Sequence, residues 1–140
     1  MPNYEDIEVG TTIPSRSYPL KRVDLVKYAG ASGDFNIIHW NERAARQVGL
    51  PDVIAHGMLT MAQGGKFVTE WADGDPAAIL DYSVRFSAMV PVPDDDEGAT
   101  VEVSGKVIKK LGDNQVEVDL AARSGDTKVL SRSRAVVRLP

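Results

Sequence analysis

His39 and His56 are the only histidines, and the chain has no cysteine, so any proton-transfer or metal chemistry must use these two, carboxylates, hydroxyls and backbone amides. Without cysteine there are no disulfides, thiolate zinc sites, iron–sulfur clusters or thiol nucleophile. Neither histidine sits in an HExxH or comparable ligand spacing. No GxSxG elbow, GxxxxGK[ST] phosphate loop or post-strand GxGxxG is present either. A site without metal or cofactor is therefore expected. What remains is Tyr28-Ala29-Gly30-Ala31-Ser32-Gly33-Asp34-Phe35-Asn36-Ile37-Ile38-His39, in which an acid and an imidazole lie five residues apart. On a helix they would face different ways. In a loop they can converge, and Gly33 and Asn36 accept the dihedrals a loop requires. An imidazole with an ordinary pKa near ~6.5 exchanges a proton at neutral pH, and a carboxylate beside it can orient or protonate a hydroxyl or water. Spacing alone leaves a second reading open, in which Asp34 caps a turn and His39 is a buried, hydrogen-bonded histidine.

Helices must position this loop. Leu25, Tyr28 and Ala29 fall at helical spacing in Arg22–Ala29, until Gly30 and Gly33 loosen the chain, which predicts a helix leading into the loop. Asn41 can cap a second, short helix, Glu42–Val48, ended by Gly49 and Pro51. The best candidate for a longer helix lies between His56 and Trp71, with Met58, Met61, Ala62, Gly65, Val68 and Trp71 or Ala72 as its apolar stripe. His56 is read as a structural residue at its start. Each interior glycine of Gly64-Gly65 costs about 1 kcal/mol against alanine. The pair therefore implies close approach by another backbone, a partner helix or a ligand, the alternative being a helix broken at Gly64. If His56-Gly57 opens this helix, the Gly57 N–H is an unobstructed donor at a positive helix end.

After a short extended stretch around Thr11–Leu20, the remaining strand signals lie in the second half. Ala78, Leu80, Tyr82, Val84, Phe86, Ala88 and Val90 alternate with polar residues, and strands return at Thr100–Leu111, Gln115–Arg123 and Thr127–Leu139. Gly112-Asp113-Asn114 and Ser124-Gly125-Asp126 supply hairpin turns, so a four-stranded antiparallel meander is expected. Asp94–Gly98 reads as a solvated acidic loop without calcium-ligand spacing. One face of this sheet is apolar, as in Val116, Val118, Leu120 and Ala122, and the His56–Trp71 helix is the surface available to cover it. The prediction is an α+β domain spanning 1–140, an antiparallel sheet curled around one long helix, with the strand order left open.

With 140 residues, 43% apolar and 26% charged, the chain has an ordinary globular composition for one domain. The start MPNYEDIEVG is acidic and no apolar run approaches a membrane span, so the expectation is a cytoplasmic protein with no membrane segment. A net charge of −4 argues against nonspecific nucleic-acid binding. The charge is uneven: residues 100–140 carry 8 basic and 5 acidic side chains. On the last strand Lys128, Arg132, Arg134 and Arg138 share one parity, either as a solvated outer face or as a dock for an anionic partner.

Tyr28-x4-Gly33-Asp34-x-Asn36-x2-His39, then Ala44-Ala45 and Ala55-His56-Gly57-Met58-Leu59-Thr60, resembles the MaoC-like family of R-specific enoyl hydratases and (3R)-hydroxyacyl dehydratases. Ile38-His39-Trp40 and Ala55–Met61 are similar to the catalytic B subunits of the mycobacterial-type (3R)-hydroxyacyl carrier-protein dehydratases. The resemblance covers nearly the whole chain and implies a single hotdog fold. It also implies syn addition or loss of water on an acyl thioester of acyl carrier protein or coenzyme A, as in fatty acid elongation of mycolic type. Asp34 and His39 would be catalytic, the Gly57 N–H would polarise the thioester carbonyl, and Gly33, Asn36 and Tyr28 would support the loop. Lys128, Arg132, Arg134 and Arg138 would receive the carrier or its phosphopantetheine. The partner would be a second copy or a related hotdog subunit. One position departs from the family: Ile37 stands where proline usually follows the asparagine, which stiffens the turn less. The alternatives carried forward are a noncatalytic acyl-binding subunit and a hotdog thioesterase.

Overall fold

The computed structural model describes residues 1–140. Five strands, β1 (Thr12–Leu20), β2 (Ile79–Phe86), β3 (Ala99–Gly112), β4 (Gln115–Ser124) and β5 (Thr127–Arg138), form one antiparallel sheet in the order β1-β3-β4-β5-β2. Helices α1 (Arg22–Ser32), α2 (Glu42–Gln47) and α3 (Gly57–Trp71) all lie between β1 and β2 in the chain. α3 packs against β1, β2, β3 and β5, so the sheet curls around it in the expected hotdog arrangement. No helix is long and apolar enough to cross a membrane.

Alternation decides which face of the sheet is covered. Val116, Val118, Leu120 and Ala122 of β4 are at most 3% exposed and join Phe67 and Val68 of α3 in one buried cluster. Burying a valine or leucine side chain contributes about 1.5–3 kcal/mol, so the central strand ties sheet and helix together. Asp113 and Asn114, with φ of 49° and 58°, form the β3–β4 turn, and positive φ at both positions matches the twist of the strands they join.

The strand order corrects the expected meander. β3, β4 and β5 follow one another, but β2 pairs with β5 at the far edge and not with β3. Residues 87–98 carry the chain across. The strand predicted to reach Val90 ends at Phe86, because the Ser87 and Ala88 amides both turn to the Val129 carbonyl. Beyond that bend, Ala55 N–H donates to Val90 O and Val92 N–H to Val53 O, each at 2.9 Å. This long-range pairing leaves no trace in local periodicity.

The buried stripe of α3 is also rotated from the expected one. Thr60, Gln63, Gly64, Phe67 and Val68 face inward, while Met58 is 57% exposed and Ala62 is exposed. Tyr82 accounts for the glycine pair. It crosses the helix from β2 and donates its hydroxyl to Met61 O at 2.9 Å, where a Cβ on Gly64 would overlap that hydroxyl. The close neighbour is thus an aromatic side chain, and the helix runs unbroken. α1 continues through Gly30 and stops at Gly33, whose φ of 75° sends the chain into the acid-bearing loop.

Candidate active site

Gly33 ends α1, and the next residues build a chain of local hydrogen bonds. Asp34 N–H donates to Ser32 Oγ (3.1 Å), Asn36 N–H to Asp34 Oδ1 (3.1 Å) and Ile38 N–H to Asn36 Oδ1 (3.3 Å). Asn36 thereby caps the single turn Ile37–His39 that carries the histidine. Trp40 Nε1 donates to Phe35 O at 3.0 Å and ties the loop from the other side. The turn forms with Ile37 as its first residue, and these polar bonds hold its entry.

The loop converges Asp34 and His39, as the spacing allowed. His39 is 8% exposed, and its Nδ1–H donates to Ile54 O at 2.7 Å. Nε2 is thus the lone-pair nitrogen of the neutral ring, and it faces Asp34 Oδ2 at 3.9 Å. That gap is too long for a direct hydrogen bond. A hydroxyl or water oxygen can bridge it at ~2.8 Å from each group. His56 joins the pair: its ring stacks on His39 with centroids 3.8 Å apart, and its Nε2–H donates to the Asp34 carbonyl at 3.0 Å. Tyr28 packs against His56 at 4.7 Å. Burial holds the His56 imidazole below the ordinary histidine range, the Asp34 carbonyl opposes this, and the neighbouring His39 adds to it.

Gly57 is the first residue of α3, where an N–H has no acceptor within the helix, and it donates to no other backbone carbonyl. It lines a cavity of about 370 Å³ together with His39, Thr60, Phe86, Val90 and Val129. The walls are mostly apolar, with His39, Thr60 and Ser87 as the polar side chains among them. Asp34, half exposed, stands outside the lining, with its Oδ2 3.9 Å from the Nε2 of the lining residue His39.

Asp34, His39 and His56 each offer a ligand atom, all within 4.8 Å of one another. The donor set does not suit an ion. The rings are nearly parallel, so their in-plane lone pairs do not converge, and His39 Nδ1 and His56 Nε2 already serve carbonyls. The residues fit proton transfer instead.

The last-strand cations lie elsewhere, on the outward face of β5. Lys128, Arg132 and Arg138 are exposed, but Arg134 pairs with Asp119 at 2.9 Å and Glu117 at 3.2 Å, so the stripe is interrupted by carboxylates of β4. Phe86, Val129 and Thr60 carry no local signal as cavity walls, since they come from three distant elements. Arg22 donates to Val92 O, Glu42 and Asp52 and so fastens α1 and α2 to the strip 52–55 that carries the His39 acceptor. An arginine at the start of a helix carries no signal of that role.

Residues 6–124 match the MaoC like domain. The chain belongs to that family. Among relatives of the MaoC-like chain, "3-hydroxyacyl-thioester dehydratase X" of Mycobacterium tuberculosis is 43% identical over 67 residues, 48% of this chain and 22% of that one. "(R)-specific enoyl-CoA hydratase" of Rhodospirillum rubrum is 33% identical over 107 residues, 76% of this chain and 73% of the relative. A solved "MaoC-like dehydratase" superposes with a TM-score of 0.94 at 41% identity, covering 99% of this chain and 42% of that one. The match thus spans under a quarter of the first relative and under half of the solved chain, while it covers most of the R. rubrum protein.

Proposed function

We propose that the MaoC-like chain is a hydro-lyase that interconverts (3R)-3-hydroxyacyl thioesters and their trans-2-enoyl forms. The observation that carries this reading is the pairing of the free His39 Nε2 with Asp34 Oδ2, 3.9 Å apart, beside a cavity lined by Gly57, whose amide donates to no backbone carbonyl. In hydration, a water held between Asp34 and His39 gives its oxygen to Cβ, one proton passes to the pair, and a proton is delivered to Cα. Dehydration reverses each step. The family resemblance implies syn addition of water, with both groups acting from one side of the substrate, and the proximity of Asp34 Oδ2 and His39 Nε2 supports that reading. Charge accumulates on the thioester oxygen during the reaction, and a preorganised N–H there is worth about 3 kcal/mol in comparable sites. The position of Gly57 as first residue of α3, at its positive end, supports that role for its amide.

The family and the names of its relatives support thioester chemistry and lead to carrier-bound acyl chains of fatty acid elongation as the substrate, with coenzyme A thioesters as the near alternative. The exposed Lys128, Arg132 and Arg138 would attract either phosphate-bearing carrier. β2 leaves an open edge bearing Leu80 and Phe86, 41% and 51% exposed, and an unpaired edge of this kind favours a second hotdog unit, the same chain or a related one.

The test is spectrophotometric. Crotonyl and longer enoyl thioesters of coenzyme A and carrier protein are supplied to the purified chain, alone and with a hotdog partner, and loss of enoyl absorbance is followed. Conversion to the (3R)-hydroxyacyl product is expected. Free thiol release without hydration would indicate a thioesterase. Turnover by a complex that survives both Asp34→Asn and His39→Ala would make this chain a noncatalytic subunit.

A further inference from the structure

His56 touches the acid and the base and directly precedes the amide donor. Its Nε2–H donates to the Asp34 backbone carbonyl at 3.0 Å, its ring stacks on His39 with centroids 3.8 Å apart and planes 22° apart, and its backbone caps the helix that begins with Gly57. We propose that His56 is the positioning residue of this site, a neutral imidazole that holds Asp34 and His39 in register with the Gly57 amide while exchanging no proton itself. The inference rests on the hydro-lyase reading and names a residue for that same site.

Two features separate this role from ordinary helix capping or packing. Serine, threonine, aspartate and asparagine are favoured at a helix cap because their side chains accept an amide of the first turn. His56 occupies the cap and makes no such bond. Its side chain turns away from the helix and toward the loop. Packing does not explain the residue type either: His56 is 1% exposed, and its Nδ1 is buried with no partner. A buried acceptor left unpaired is costly, and a phenylalanine would fill the space without that cost. A glutamine could keep the donor to Asp34 but would present no flat face to His39. Imidazole is the smallest side chain that offers a flat face and a ring N–H together, and the site uses both.

The tautomers are complementary. His39 protonates Nδ1 toward Ile54 and leaves Nε2 free for substrate, while His56 protonates Nε2 toward Asp34 and leaves Nδ1 shut away from solvent. Of the two imidazoles, the lone pair that can reach the cavity is on His39. Tyr28 of α1 packs on His56 with a 55° tilt, which limits rotation of the His56 ring and gives Tyr28 its supporting contact beside the loop.

Three variants separate the contributions. His56→Phe keeps the flat face and loses the donor, His56→Gln keeps a donor and loses the face, and His56→Ala loses both. The expected result is kcat lower by about tenfold to hundredfold in the first two and lower still in the third, the size of loss that misplacing reacting groups produces. KM for the enoyl thioester should stay within about threefold, because ground-state binding is untouched. Circular dichroism should show all retained protein folded. By NMR, the His39 ring protons, shielded by the facing ring, should move in His56→Gln and His56→Ala and stay near their wild-type positions in His56→Phe. A kcat within about threefold of wild type in both partial variants would overturn the proposal, as would a loss confined to KM. If the wild-type chain turns over no thioester, the hydro-lyase reading fails, and the NMR arm judges the geometry by itself: unmoved His39 resonances in His56→Ala overturn it.

Discussion

Gly64→Ala should destabilise the protein, although alanine is the better helix former by about 1 kcal/mol. The new Cβ would overlap the Tyr82 hydroxyl, with Tyr82 Cζ at 3.4 Å and Leu130 Cδ1 at 3.8 Å behind it. Tyr82 must then move. That costs about 1–3 kcal/mol of overpacking and about 1 kcal/mol for the bond to Met61 O, leaving a net loss of about 1–3 kcal/mol. Tyr82→Phe alone should cost about 1 kcal/mol, the price of one hydrogen bond. In the double variant the overlapping atom is gone, and the remaining neighbours sit at ordinary contact distance. The double variant should therefore be no less stable than Tyr82→Phe, which corresponds to a coupling of about 2 kcal/mol. Urea unfolding followed by circular dichroism measures all four proteins. Additive losses would show that the hydroxyl does not occupy the space over Gly64 and would refute the reasoning.

Arg22→Gln removes the cation that Asp52 (side chain 17% exposed) and Glu42 share, and it frees Val92 O; a loss of about 2–3 kcal/mol in chemical unfolding is expected. Gly57→Ala should leave stability within about 1 kcal/mol, since the added methyl meets only the half-exposed Phe86 ring at 3.4 Å, yet slow hydration at least about tenfold by crowding the thioester. Stability should also depend on pH through His56. Its folded pKa lies below the ordinary 6.5, so the unfolded chain takes up a proton that the folded chain refuses, and stability present above pH 6.5 declines as pH falls below it. His56→Phe should flatten the upper part of that decline in thermal melts. Glu42 and Glu117, held low chiefly by the hydrogen bonds of Arg22 and Lys109, and Glu70, held low against its burial by the Tyr18 hydroxyl and then Arg16, add their own loss only below the ordinary glutamate value of 4.5.

Much of the fold was legible because local chemistry wrote it. Asn41 caps α2 through Ala44 N–H at 3.0 Å, Gly33 ends α1, and the turns 113–114 and 125–126 sit between strands whose alternation matches their burial. The position of β2 was not legible, because its partner is chosen by the crossing segment 87–98 and by Val90 and Val92 docking on residues 53–55. The rotation of α3 was hidden for a related reason. Thr60 and Gln63 face inward although polar, and Gly64 faces inward because Tyr82, far along the chain, lies over it. In the site, Asp34, Asn36 and His39 were readable from a glycine-bounded loop with an acid and an imidazole. The contribution of His56 was not, because its stacking on His39 is a tertiary contact between residues seventeen apart, and helix-start position alone suggested only structure.

The central claim is that Asp34 and His39 jointly move the protons of water addition. Steady-state hydration of an enoyl thioester by wild type, Asp34→Asn and His39→Gln, each in whatever assembly supports wild-type turnover, tests it most directly. Either variant should lower kcat/KM by about 10² to 10⁴, with melting temperatures near that of wild type. Near-wild-type turnover in a folded Asp34→Asn or His39→Gln protein would contradict it.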